Sequence, residues 1–303
     1  MNPARGIGMV VLAVGMFTVM ATAVKFTSDH VPPGQAMFVR SAVTLPIVLF
    51  MLVRKGQLHG ALHTTYPMGH LMRGLTGTAA MGMGFAGLAY LPLPEATAIR
   101  FSTPLFVVVL AALMLGERFR LIRLSAVAAG LVGVSIILAP RLSGDLGSAA
   151  SLGALLTLGS AFCASLSQIQ VKRLAGKENT ATIVFYFSIC SLAFSLLTAP
   201  FGWVMPTQQE ALILFGGAVV GSFGQILLTG AYKHGDASLL ASFTYSSMIW
   251  SLLLGYLVFG DLPTVQMLLG AGIVIVAGLV IAWREQQLAK RAIRSETTVV
   301  GPG

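Results

Sequence analysis

Charged residues are scarce in this chain of 303 residues. Asp, Glu, Lys and Arg make up 10% of it and apolar residues 56%, with a mean hydropathy of +0.85. Typical soluble domains are about 25% charged, because their surface faces water. The composition therefore excludes soluble domains of this total length and indicates an integral membrane protein.

Several signatures of chemistry are absent as well. No GxxxxGK[ST], HExxH, CxxC or GxSxG run occurs, and no paired acid, base or metal ligands share one membrane depth. Cys163 and Cys190 fall inside predicted helices, where we expect small buried thiols. His59, His63 and His70 lie in one predicted loop and are interpreted as solvated. We expect no enzyme activity, no metal and no cofactor.

What the chain does contain is a series of long apolar runs. A helix needs roughly 20 apolar residues to cross a bilayer, whereas barrel strands are about ten residues long and alternate in polarity. These runs are long and apolar on all sides, so the expected fold is all-α with ten transmembrane helices. We place the ten spans near 6–24, 33–53, 72–91, 96–115, 122–140, 149–170, 181–200, 211–231, 237–259 and 263–283.

The second half of the chain repeats the first. A shift of about 145 residues aligns Gly8 with Gly153, Phe17 with Phe162, Gly116-Glu117 with Gly260-Asp261, and Gly133 with Gly278. Two copies of five helices must have opposite orientations, which is the inverted-repeat plan of secondary transporters. We predict five-helix repeats at 6–140 and 149–283, followed by a cytoplasmic tail at 284–303.

The basic residues predict the orientation. Lys25 and Arg141 fall on one side and Arg40 and Arg100 lie within helices, while the other 15 of the 19 Lys and Arg residues fall on the opposite side. Positive charge collects in cytoplasmic loops. We therefore expect an inner-membrane protein with both termini in the cytoplasm, and the net charge of +9 does not indicate nucleic-acid binding.

Arg40 and Arg100 are the most informative polar residues. An arginine within a span costs about 2.5–3.5 kcal/mol on insertion scales, so it usually faces protein or water and has a role. The alternative is that these side chains extend to the lipid headgroups, which is called snorkelling. For Arg100 the two interpretations have equal weight, because Glu95 lies near it in the sequence. We predict that both arginines meet an anionic group of the substrate. Pro104 should kink the fourth helix beside Arg100.

The acidic residues offer few candidates for proton coupling. No carboxylate falls in the middle third of a predicted helix. Glu95 and Asp236, at corresponding turns of the two repeats, are possible coupling residues, although helix capping is an equally simple role. The sequence leaves a facilitator, an exchanger and coupling through a rim carboxylate open.

Neutral polar and aromatic residues at membrane depth outline a cavity. The predicted lining consists of Gln168, Gln225, Tyr245, Ser246 and Trp250. Each alone could serve hydrogen bonding between helices. Together they suit a small zwitterionic or ring-bearing metabolite.

Glycine is abundant, with 34 residues, and clusters in the third and eighth helices. Gly217 and Gly221 form a GxxxG pair, which lets two helices approach closely. Static packing, sliding of one bundle past another and homodimer formation are all compatible with this pattern. Ala126 and Gly130 of the fifth helix present a similar small-residue face.

The segments resemble the EamA-like branch of the drug/metabolite transporter superfamily. The resemblance covers residues 6–283 and is most specific in the third to fifth helices. Its motifs are Ala89-Tyr90-Leu-Pro-Leu-Pro-Glu95-Ala96, Pro104, Leu115-Gly116-Glu117-Arg118, Arg40, Tyr232 and Gly260-Asp261. The chain departs from the family at Gly15-Met16-Phe17, where relatives often carry Trp-Gly. The resemblance implies ten helices, cytoplasmic termini and a central cavity between the repeats.

These observations predict a secondary transporter of a small organic metabolite, with amino acid export as the leading hypothesis. The first alternative is an importer or exchanger of a larger metabolite such as S-adenosylmethionine or a nucleotide-linked compound. A membrane scaffold or receptor is the non-transporting alternative. The expected partners are a small-molecule substrate and the lipid bilayer.

Overall fold

The helices of the chain follow one another with short links. The computed structural model describes residues 3–54, 56, 63–115, 121–142, 148–175, 177–231, 234, 240 and 243–299, and contains no strand within these ranges. The helices are α1 (Pro3–Thr27), α2 (Pro33–Arg54), α3 (Pro67–Tyr90), α4 (Leu93–Arg100), α5 (Ser102–Leu115), α6 (Leu121–Leu142), α7 (Ala149–Ala175), α8 (Thr180–Leu196), α9 (Gln208–Ala231), α10 (Ser247–Leu254) and α11 (Val265–Val299). A 3₁₀ turn, Thr244–Ser246, precedes α10, and a π-helical turn, Gly255–Phe259, follows it.

Five stretches of the described residues are long and apolar enough to cross a membrane. They are Ala4–Thr27, Pro33–Arg54, Leu93–Leu110, Ala149–Val171 and Gln208–Ala231. Shorter apolar helices cover Ser125–Arg141, Thr180–Leu196, Thr244–Phe259 and Val265–Val280. The third predicted span, 72–91, forms α3, which carries His70 and Arg73 near its start. The all-helical architecture fits a protein that crosses the membrane several times.

The surface of the bundle differs from that of a soluble protein. Large apolar side chains such as Phe50, Leu113, Phe215 and Ile249 are exposed. Fully buried positions include hydroxyl residues, namely Ser165, Ser191, Ser222 and Ser251. Lipid tails are as apolar as leucine, so helices associate through small residues and internal hydrogen bonds. The Ser222 hydroxyl, for example, donates to the Ala218 carbonyl at 2.7 Å.

The closest helix pairs join the first half of the chain to the second. Helix α3 packs along α7, and α1 packs along α9. A β-carbon on Gly153 would lie 2.6 Å from that of Tyr90, and one on Gly217 would lie 2.6 Å from that of Ala23. Glycine is therefore required for the close approach in both pairs. Helices α2 and α8, α6 and α11, and α4 and α10 are further contacting pairs.

The glycines considered for dimer formation face the interior of the chain. Gly217 and Gly221 pack against Ala23 and Met20 of α1, and Gly130 packs against Leu105 of α5. These contacts favour internal packing over the dimer interface for these positions. A homodimer stays a prediction.

The fourth and ninth spans are both interrupted. The fourth breaks at Phe101, between α4 and α5 and three residues before Pro104, in agreement with the expected kink. The ninth is interrupted by the 3₁₀ turn Thr244–Ser246, which contains Tyr245 and lies between helical Phe243 and α10. The rings of Phe101 and Tyr245 meet edge to face, with centroids 5.0 Å apart and planes at 79°. The two interruptions therefore contact each other inside the bundle.

The links meet at two opposite ends of the bundle. After α3, Leu91 accepts a 2.6 Å hydrogen bond from Lys25 Nζ, and the Leu93 amide donates to Asp261 at 3.2 Å. At the start of α3, Thr64 donates to Glu178 at 2.6 Å. Contacts thus link the two halves of the chain at both ends.

The contact between α6 and α11 gives a matched pair of substitutions. A β-carbon on Gly270 would lie 2.6 Å from both the Gly133 carbonyl oxygen and Ile137 Cγ1, whereas one on Gly272 meets nothing within 4 Å. Gly270→Ala should destabilise the fold by about 1–3 kcal/mol through overpacking. Gly272→Ala should be neutral or slightly stabilising, because alanine favours a helix. Thermal unfolding midpoints in detergent test this, and equal midpoints would contradict the packing described.

Candidate functional site

Arg40 lies at a junction of three helices. It is seven residues into α2, or about 10 Å from the start of the helix. Its Nη2 donates to Gln225 Oε1 of α9 at 3.3 Å, and its Nη1 contacts the sulfur of Met81 in α3. Its Nε is buried and has no hydrogen-bond partner in the described part of the chain. The guanidinium is therefore held in place with one donor unused.

Gln225 is oriented by two hydrogen bonds. Its Oε1 accepts from Arg40, and its Nε2 donates to Thr229 Oγ1 at 3.2 Å, one turn further along α9. Beside it, the hydroxyls of Thr44 and Ser222 are 2.7 Å apart and tie α2 to α9. The structure brings Arg40 and Gln225 together, as a shared site requires.

Arg73 is a buried guanidinium near the start of the third predicted span. It lies six residues into α3 and is 9% exposed. Its Cζ is 4.1 Å from the ring centroid of Phe187 in α8, and its buried Nε lacks a hydrogen-bond partner among the described residues. The sequence signal was the neighbouring Gly74 and Gly77, which leave room beside a helix for a large side chain.

Arg100 is the last residue of α4 and points across the bundle. Its Nη1 is 3.9 Å from the place where a β-carbon on Gly84 of α3 would lie, and Ser160 of α7 borders the same place. Its side chain nevertheless keeps an exposed surface. A contact between Arg100 and the substrate stays a prediction.

Glu95 does not pair with Arg100, contrary to the proximity expected from the sequence. Both of its carboxylate oxygens accept hydrogen bonds from Arg141, at 2.8 Å from Nε and at 2.8 Å from Nη2. This bidentate pair joins α4 to the end of α6, and Glu95 is 8% exposed. Its possible coupling role stays a prediction. The other coupling candidate, Asp236, lies outside the described residues.

Gln168 lies on the inward face of α7. It follows Ala161 by seven residues, or nearly two turns, so the two side chains share a face. Ala161 is fully buried, whereas Gln168 is exposed. A place for Gln168 in the lining of a central cavity stays a prediction.

The three predicted site residues of the ninth span contact other parts of the bundle. Tyr245 is buried against Phe101 and Gly278, and its hydroxyl has no hydrogen-bond partner within the described ranges. Ser246 donates to the Phe243 carbonyl at 2.6 Å, and the Trp250 indole packs against Gly15 of α1. These contacts show packing roles beside the helix interruption, and a contact with substrate stays a prediction for each.

His70 is buried rather than solvated, so that interpretation was wrong. It is 2% exposed, its ring stacks on Tyr186 at 4.6 Å, and its Nε2 is 3.8 Å from Glu178 Oε1. His63 is exposed, and His59 lies outside the described residues. The structure thus places a histidine and a carboxylate together at the end of α3 opposite to Glu95.

Two cavities lie away from the arginines. One of about 340 Å³ lies between α1, α9 and the ninth span, and its lining includes Val19, Phe26 and Val258. Another of about 240 Å³ lies between α1, α2, α8 and α9, near Asn179 and His234. The first is almost wholly apolar, which suits lipid better than a charged metabolite.

Comparison with known proteins decides the family. The EamA-like transporter family matches this chain twice, over residues 4–139 and 151–283. The chain belongs to the EamA-like transporter family. It is therefore a multi-pass membrane transporter of the drug/metabolite transporter superfamily, with a small-molecule substrate, and not an enzyme.

Named relatives of this EamA-like transporter carry different cargoes. A riboflavin transporter of Vibrio cholerae is 28% identical, over 96% of this chain and 97% of its own. A pseudopaline exporter of Pseudomonas aeruginosa is 29% identical, over 91% and 95%. An S-adenosylmethionine uptake transporter of Rickettsia bellii is 30% identical, over 84% of each chain. A solved crystal structure aligns with a TM-score of 0.66 and 22% identity, over 93% of this chain and 98% of its own, and shows the shared fold.

The ion pair between Glu95 and Arg141 leads to a testable prediction for this EamA-like transporter. Glu95→Gln and Arg141→Gln should each lower stability by about 1–2 kcal/mol, because each removes the same charge-assisted hydrogen bonds at a partly exposed position. Both variants should also respond alike to a pH gradient in liposomes. A loss of that response in Glu95→Gln alone would show that Glu95 couples transport to protons.

Proposed function

We propose that this protein is a secondary transporter that moves a small organic metabolite with an anionic group across the inner membrane by alternating access. The proposed layout is ten transmembrane helices in two inverted repeats, 6–140 and 149–283, with both termini in the cytoplasm. The interrupted fourth and ninth spans each count as one crossing. Helix α11 continues through most of the predicted tail, as far as Val299.

The helix contacts support this layout. If α1 corresponds to α7, α2 to α8 and α3 to α9, exchange of the repeats converts the pair α1–α9 into α7–α3. It likewise converts α2–α9 into α8–α3. All four pairs are in contact, and α2–α8 and α6–α11 convert into themselves. Such a pattern is expected of two repeats related by a pseudo-two-fold axis.

The paired interruptions support alternating access. A shift of 144 residues, the one that aligns Gly116 with Gly260, also aligns Phe101 with Tyr245. The two spans thus break at corresponding positions and touch there. Discontinuous helices at a repeat interface place free backbone groups near a substrate site. Such an interface also provides a place where one half can move relative to the other.

The observation that carries the proposed cargo chemistry is the environment of Arg40. The guanidinium is buried among α2, α3 and α9, bonds to a neutral amide, and makes no ion pair with a described carboxylate. A buried charge without a partner is unfavourable. A carboxylate or phosphate of the cargo would supply the missing charge through two parallel hydrogen bonds. We propose that Gln225, Arg100 and Gln168 complete the site, with Gln225 bonded directly to Arg40.

Two classes of cargo are proposed. Amino acid export, the leading hypothesis from the sequence, satisfies the requirement for a carboxylate. The uptake transporter of S-adenosylmethionine favours the alternative, because that metabolite also carries a carboxylate and is larger. The named relatives include both an exporter and an uptake transporter, so the direction must be measured.

Counterflow in liposomes tests the function. The purified protein would be screened with labelled amino acids, S-adenosylmethionine, riboflavin and succinate, with and without a pH gradient. Exchange of one cargo identifies the class, and its response to the gradient shows whether protons are coupled. If no cargo of the panel is exchanged while a known carrier works under the same conditions, the result would favour a scaffold or receptor.

Arg40→Ala should abolish exchange while the protein still folds. Removal of one partner of a charge-assisted hydrogen bond to the cargo costs about 1.5–3 kcal/mol, or roughly tenfold or more in affinity. Arg54→Ala is the matched control, since Arg54 lies at the exposed end of the same helix beside Phe50. Unchanged exchange in well-folded Arg40→Ala would remove Arg40 from the site.

A further inference from the structure

One stripe of α3 meets three arginines: Arg73, which is buried, Arg40, which is half-buried, and Arg100, which is exposed. Arg73 lies against Gly77, Arg40 contacts Met81, and Arg100 reaches Gly84. The three positions on α3 are four and three residues apart, so they lie on one face of the helix. At 1.5 Å per residue they span about 10 Å. We call Arg73, Arg40 and Arg100 the guanidinium ladder.

The two glycines provide the space for this arrangement. A β-carbon on Gly77 would overlap Arg73 Nη1 and would lie 2.8 Å from the Phe187 ring and 3.0 Å from Ser167 Oγ. A β-carbon on Gly84 would lie 2.9 Å from Ser160 Oγ, beside Arg100. The absence of side chains at both positions lets the arginines lie on the surface of α3.

The ladder has an excess of positive charge. The Cζ atoms of Arg73 and Arg40 are 4.1 and 6.0 Å from the same Phe187 ring centroid, so they are no more than about 10 Å apart. Electrostatic repulsion links Arg40 to both of the others. Like charges at this distance repel strongly in a medium of low dielectric constant.

No described carboxylate balances this charge within ion-pair distance. The carboxylates that form described contacts do so elsewhere: Glu95 with Arg141, Glu178 with Thr64 and His70, Glu210 with His30, and Asp261 with the Leu93 amide. The Nε atoms of Arg40 and Arg73 remain buried without partners in the part of the chain that the structure describes. Buried polar groups normally have partners, so these donors indicate a ligand that binds reversibly.

We propose that the guanidinium ladder is an anion path along α3 and that the cargo carries two negative charges, as a dicarboxylate or a phosphate monoester does. This inference rests on the proposed transport function and adds Arg73 as a substrate-binding residue. The Cζ atoms of Arg73 and Arg40 are no more than about 10 Å apart. We therefore expect a small dianion to contact two guanidiniums at once and a monocarboxylate to contact one. Arginine suits this role because its planar fork matches both groups.

Binding to the purified protein in a neutral detergent tests the proposal. Succinate and inorganic phosphate are the dianionic probes, and butyrate is the monocarboxylate matched to succinate in length. Calorimetry should give about tenfold or tighter binding for succinate than for butyrate, the effect of one additional charge-assisted pair. Equal affinities for succinate and butyrate would overturn the assignment.

Arg73→Gln should remove the preference for succinate and leave the weaker butyrate binding unchanged. Arg73→Lys keeps the charge without the fork and should restore part of the preference. A structural role alone would lower stability without changing the ratio of the two affinities. Retention of the full preference in folded Arg73→Gln would exclude Arg73 from the path.

Two glycine variants of α3 provide a test that keeps all three charges. Gly77→Ala should displace the Arg73 guanidinium and the Phe187 ring and weaken succinate binding. Gly82→Ala is the matched control, since its β-carbon would meet only the flexible Met37 side chain, at 3.0 Å from the sulfur. Equal affinities in the two variants would contradict the geometry of the ladder.

The outcomes separate this proposal from the transport function. If the protein exchanges a cargo and Arg73→Gln does not change the rate of exchange, the ladder proposal is wrong and the transport function stands. Succinate binding that depends on Arg73 in a protein silent in counterflow would support the ladder and contradict the transport proposal. Binding that requires added phosphatidylglycerol and is lost in Arg73→Gln would identify a lipid headgroup as the occupant and overturn the cargo assignment.

Discussion

The burial of guanidinium groups away from carboxylates is the constraint around which this bundle is arranged. Arg40 and Arg73 lie where α2, α3, α8 and α9 meet, and both leave a donor unused. Such charges are expensive within a membrane. The two guanidiniums contact a glutamine amide, a methionine sulfur and the face of Phe187. These groups lower the free-energy cost of burying the charges but do not neutralise them. The carboxylates of the described residues form their own contacts near the ends of the bundle, which leaves positive potential in the interior.

Small residues make this arrangement possible. Because lipid and leucine are equally apolar, the helices gain little from burying large side chains against one another. They approach through glycine and hydroxyl residues instead, as α3 does along α7 and α1 along α9. The lack of side chains at Gly77 and Gly84 has a second effect on α3. It exposes a backbone surface against which arginines from three helices lie. Close packing and a charged interior thus depend on the same residues.

Family membership shows that the protein is a transporter, but it does not identify the cargo. Relatives of similar identity are named for riboflavin, pseudopaline and S-adenosylmethionine, although each covers most of this chain. A shared framework therefore accommodates different sites, and cargo has to be argued from the side chains that line each interior. In this protein the side chains proposed for that role include Arg40, Arg73 and Arg100.

The sequence by itself determined the membrane class, the all-helical architecture and the family, because the length of apolar runs is a local property, and it singled out Arg40 as a candidate. It also indicated the kink near Pro104. Only the tertiary structure decided the partners. Glu95 bonds to Arg141, which is 46 residues away, rather than to nearby Arg100. His70, assigned to a loop, is helical because α3 begins at Pro67, five residues before the predicted span, and Arg73 is buried because α3 packs beside Phe187 of α8. Contacts between helices that are distant in sequence depend on how the two halves of the chain pack. The apolar pattern of a single helix does not specify which helix faces meet.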